Sequence, residues 1–134
     1  MALTEAITIA MKLGDWVNTI WNFHAVINVA LLGWVFSKRP EWSLRVRVGI
    51  TGVYALLMAA NLYGQIEAHI ELDAVLAEVR ALAASTSFKS PALAEMLLHV
   101  TGTNYFVLLG RHLVVDAFGI AAIWIHQESE TADK

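Results

Sequence analysis

The sequence predicts an all-α integral membrane protein. Three observations carry that prediction: a scarcity of charge, long uncharged runs, and helix-breaking residues between the runs. Charged residues make up 16% of the chain and hydrophobic residues 57%, against about 25% charged in an average soluble domain. Mean hydropathy is +0.57, so too few charges remain to cover a water-soluble particle. A length of 134 residues suits one membrane domain, 1–134. Disorder is excluded, because it needs low hydrophobicity and high charge. Nine basic residues against twelve acidic ones, net −3, leave no basic stripe for nucleic acid. Cysteine is absent, which removes disulfides, thiol catalysis and Cys-based metal sites.

Residues 1–14 predict a short interfacial helix, with Thr4 able to cap it and Leu3, Ile7 and Met11 on one face up to Gly14. Glu5, with no basic residue before Lys12 and no small-residue cleavage site, argues against a signal peptide. Asp15 can then cap a first span, 16–36. Its 21 residues carry no formal charge and cover about 31 Å, the thickness of the hydrocarbon core. A second span covers 46–66. Its helix continues to 84, because Ile66, Ile70, Leu76, Val79 and Ala83 keep helical spacing while Glu67, Glu71, Asp73 and Glu78 supply a polar face.

Ser85–Lys89 reads as a turn, and Ser90-Pro91 as a helix start, a cap followed by proline at the first helical position. A long helix over 91–126 then contains the third span. The second and third helices would form a long antiparallel hairpin extending beyond the bilayer, with Arg80 opposite Glu95. Lys38, Arg39, Arg45 and Arg47 crowd the first loop around Pro40. The positive-inside rule puts that loop in the cytoplasm, the N-terminus outside and the C-terminus in the cytoplasm. Trp34, Trp42 and Trp124 fall at the inner interface and Trp16 at the outer one, as an aromatic belt requires.

Arg111, His112 and Asp116 interrupt the third span. Arg or Asp at a span centre costs about 2.5–3.5 kcal/mol each, so partners must satisfy them. His112 and Asp116 share a helix face, where the carboxylate could hold the imidazole. Helix one offers Asn18, Asn22, His24 and Asn28, and helix two offers Asn61, Tyr54 and Tyr63. Counting residues from the loops sets Asn22 and Asn61 within about one turn of Asp116, and puts His24 nearer Ile120 than His112 by about 9 Å. The transport or polar cluster is therefore Arg111, His112, Asp116, Asn22, Asn61 and His24. It reads either as structural glue or as a proton or ion route.

Two imidazoles within spans could hold haem b; the depth offset would require ligation across subunits, and the sequence names no cofactor. His69 and Asp73 could share a divalent cation with Glu67 or His99, although a solvated acidic face is the commoner meaning. His126 falls at the inner boundary. Ala55-x-x-x-Ala59, Ala60-x-x-x-Gly64 and Ala117-x-x-x-Ala121 are small-residue pairs that let helices approach, and a homo-oligomer or membrane-complex subunit is expected. No nucleophile elbow, phosphate-binding loop, zinc-protease helix or dinucleotide fingerprint occurs, so no enzyme motif is present. The layout of an interfacial helix and three spans resembles that of the prokaryotic diacylglycerol kinases. The spacing of Asn61, Glu67, Glu71 and Asp73 is not that family's motif, and no residue role carries over. The expected function is a small oligomeric channel- or transport-like protein. The alternative is a non-catalytic subunit or anchor of a larger membrane complex, of which a redox anchor binding haem is a special case.

Overall fold

A computed structural model describes residues 1–38 and 42–125. It contains α1 (Leu3–Lys38), α2 (Leu44–Ala84), α3 (Pro91–Leu98) and α4 (Tyr105–Ile125), with no strand among the described residues. Three helices, α1, α2 and α4, are long and apolar enough to cross a membrane. Arg39, Pro40 and Glu41 of the basic loop, and His126 with the tail after it, lie outside the described residues. The described residues pack as two compact units: Met1–Ile20 with Gly64–Tyr105, and Trp21–Tyr63 with the described residues from Phe106 onward.

In the first unit, α1 corrects the expectation of a separate interfacial helix. Gly14-Asp15 does not end the helix, because a helical glycine costs only about 1 kcal/mol relative to alanine. Thr19 Oγ1 instead donates to the Asp15 carbonyl at 2.9 Å, inside a continuous helix. Leu3 and Ile7 do share a face, and they pack with Val75, Leu82 and Phe88 around Ala6, Val79, Ala83 and Leu97. Met11 stays exposed.

The end of α2 at Ala84 is where the apolar spacing stops. The hydroxyls of Ser85 and Thr86 close that end by donating to the Leu82 carbonyl at 2.9 and 2.7 Å. Ser90 caps α3, its Oγ accepting from the Leu93 N–H at 3.4 Å, with Pro91 as the first helical residue. Arg80 does not meet Glu95: its Nε donates to the Leu76 carbonyl of its own helix at 3.3 Å.

The expected helix over 91–126 is broken at 99–104, giving α3 and α4. Asp73 of α2 holds the break. Its Oδ1 accepts from the Thr103 N–H at 3.0 Å and the Thr103 hydroxyl at 3.1 Å, and its Oδ2 accepts from the Tyr105 hydroxyl at 3.1 Å. Gly102 packs closely on this carboxylate: a Cβ there would sit 3.3 Å from Asp73 Oδ1.

In the second unit, the tryptophans expected at one interface do gather. The Trp34 and Trp42 rings lie 4.9 Å apart, and Trp124 Nε1 donates to Thr51 Oγ1 at 3.1 Å. Arg47 is buried between their backbones, donating to the Trp42 carbonyl at 3.3 Å and the Trp124 carbonyl at 3.5 Å. A cation at the last turn of α4 also complements the helix dipole.

Candidate functional site

Each long helix brings one polar face into the second unit. On α1 the face is Trp21, His24 and Asn28; on α2 it is Tyr54, Met58 and Asn61; on α4 it is His112, Asp116 and Gly119. All three sets follow helical three- and four-residue spacing. His24, Asn28, Tyr54, Met58, Asn61 and His112 are buried, the two imidazoles at 1% and 0% exposure.

The centre is a contact of His24, His112 and Asp116. His24 Nε2 stands 3.1 Å from Asp116 Oδ1, and the Asp116 side chain keeps 18% of its surface exposed. The two imidazole centroids are 4.3 Å apart. Trp21 covers both rings, 5.5 Å from His24 and 4.6 Å from His112. The Tyr54 hydroxyl donates to Asn28 Oδ1 at 2.7 Å and stands 3.4 Å from Asp116 Oδ1. Asn28 Nδ2 in turn donates to the His24 carbonyl at 3.0 Å. Tyr54 reaches this position only because residue 119 is glycine: a Cβ there would lie 2.7 Å from Tyr54 Cζ.

Asn28 and Tyr54 have hydrogen-bond partners for their polar atoms, but the imidazoles do not. None of the four ring nitrogens of His24 and His112 makes a hydrogen bond among the described residues. The Asp116 carboxylate stands 3.1 Å from His24 Nε2 without forming a hydrogen bond to it. More than nine in ten buried polar groups are paired, and each one left unpaired costs about 1–3 kcal/mol. Four in one place is a poor arrangement for glue and a suitable one for an ion.

Three of the six cluster residues therefore meet. Asn61 is buried on the α2 face that carries Tyr54 and Met58, whereas Arg111 and Asn22 are exposed and stay outside the centre. Two details correct the expectation. Asp116 approaches His24 rather than His112, and His24 lies level with His112 rather than near Ile120. Depths counted from loops assume level helix ends, and an error of one turn at each of two connections moves a side chain by about 11 Å. Trp21 and Gly119 were not singled out by sequence; each lies three residues from a site residue, the one signal that could have found them.

The rings at 4.3 Å leave no gap for a porphyrin between them, since two axial nitrogens alone stand about 4 Å apart across a metal. In the first unit the His69–Asp73 pair is committed to structure. Asp73 holds the break before α4, and His69 Nδ1 lies 2.8 Å from Thr103 Oγ1. His99 Nδ1 lies 2.9 Å from the Glu95 carbonyl. No known family, curated protein or solved structure matches the chain.

Proposed function

We propose that this is a small oligomeric membrane protein of the channel or transporter kind, in which a cation passes by way of the His24–His112–Asp116 centre. One observation carries the reading: two imidazoles and a carboxylate converge inside helices apolar enough to span a bilayer, with the ring nitrogens not spent on hydrogen bonds. Ionisable groups at membrane depth are expensive and mark functional sites by default. Self-association is supported by Arg111, which is exposed on α4 on the side of the helix that also carries the exposed Phe118 two turns away. Arg111 makes no hydrogen bond or ion pair among the described residues, and in a bilayer such a face needs a polar partner.

The test is flux in liposomes. Asp116→Asn keeps size and most hydrogen bonds but removes the charge. It should leave helix content and oligomer size intact while reducing cation flux at least tenfold. Normal flux in both Asp116→Asn and His112→Gln would end the reading; lost assembly in Asp116→Asn would move the cluster to a structural role. The proposed orientation, N-terminus outside, follows from Arg45 and Arg47 beside the first loop. As the chain has no cysteine of its own, Ser87→Cys should label from outside and Ser129→Cys only after permeabilisation.

A further inference from the structure

We infer that the cation of this centre is a divalent late transition metal, held by one nitrogen each of His24 and His112 and by the Asp116 carboxylate. The inference rests on the reading of the centre as a cation site and names the cation's class. One potential ligand atom from each residue lies within 4.8 Å of the other two. Ligand atoms around a tetrahedral ion with bonds of 2.0–2.1 Å stand about 3.3 Å apart. His24 Nε2 and Asp116 Oδ1, at 3.1 Å, already meet that spacing. The remaining closure is about 1.5 Å at most.

The donor set decides the class. Imidazole suits zinc, iron, cobalt, nickel and copper, whereas magnesium and calcium want an all-oxygen shell. Three protein ligands also leave a coordination position open, as exchangeable sites do and closed structural sites do not. The partly exposed edge of Asp116 is the side from which an ion can enter, while Trp21 packs on both rings.

The experiment is a titration of the untagged full chain in detergent with Co²⁺. One Co²⁺ per chain is expected, with the visible absorption of a four- or five-coordinate ion, displaced by Zn²⁺ but not by excess Mg²⁺ or Ca²⁺. Asp116→Asn and His112→Gln should each weaken binding by at least about 100-fold, more than the loss of an outer-shell partner. His69→Gln should leave it unchanged. If a ligand variant loses its helix content, the wild-type chain still locates the ion: Co²⁺ should quench Trp21 fluorescence, and Trp21→Phe should remove the quenching while binding persists. No uptake by the wild type, uptake untouched in both folded ligand variants, or quenching that Trp21→Phe does not reduce would overturn the metal assignment. Asp116-dependent flux of protons or sodium without Co²⁺ uptake would refute the metal and keep the route. Co²⁺ bound without flux of any cation would keep the site and refute the route.

Discussion

Replacing Gly119 with alanine should disorder the centre without touching any of its three ionisable residues. In an exposed helix the change gains about 1 kcal/mol, since alanine is the better helix former. Here the added methyl would stand 2.7 Å from Tyr54 Cζ and 3.2 Å from Asn28 Oδ1, where carbon atoms rest at about 3.5–4.0 Å. The Tyr54 ring must retreat by about 1 Å, displacing its close neighbours or shifting toward the apolar cavity it lines with Ile27, Val53 and Leu57. Its 2.7 Å bond to Asn28 then opens. Overpacking costs about 1–3 kcal/mol and the lost hydrogen bond about 1 kcal/mol. Less the gain in helix propensity, the net loss is about 1–3 kcal/mol. Reversible unfolding in mixed micelles measures it. The control is Tyr54→Ala, which removes the ring: Gly119→Ala added to that variant should cost almost nothing more. Wild-type stability in Gly119→Ala, or additive costs in the double variant, would refute the close approach of Tyr54 to α4.

Asp73→Ala deprives Thr103 and Tyr105 of their acceptor. It should cost about 2–3 kcal/mol, with amide exchange accelerating first at Thr103, and an unchanged exchange pattern would show that the break before α4 does not depend on Asp73. Ser90→Ala should lower stability by about 1 kcal/mol through loss of the α3 cap, read by thermal unfolding and largely restored by Ser90→Asp. Arg111→Ala should shift the oligomer toward monomer in native mass measurements while Co²⁺ binding stays intact, because Arg111 is exposed and outside the centre. Loss of Co²⁺ binding in that variant would contradict this placement.

The helix ends at Ala84 and Pro91 were legible because local signals set them: the apolar period stops at the first, and a cap with proline opens the second. The break at 99–104 was not legible, since no proline marks it and the residue that holds it, Asp73, is thirty positions away from Thr103. Continuity of α1 through Gly14 was hidden for a related reason. A local cost of about 1 kcal/mol looks decisive until the packing of Leu3 and Ile7 is known. Within the centre, residue type was legible and pairing was not. Helical spacing shows which side chains share a face, but not how neighbouring helices are rotated or shifted. Spacing could still have removed two residues from the cluster. Asn22 lies about 200° round α1 from His24, and Arg111 about 100° round α4 from His112.

The most direct measurement is zinc-edge X-ray absorption on the full chain loaded with one Zn²⁺ and washed free of excess. The expected spectrum has two imidazole nitrogens and one carboxylate oxygen at about 2.0–2.1 Å, with outer-shell scattering from two rings that falls to one in His112→Gln. An all-oxygen shell, a single imidazole in the wild type, or zinc that washes away would contradict a centre built from His24, His112 and Asp116.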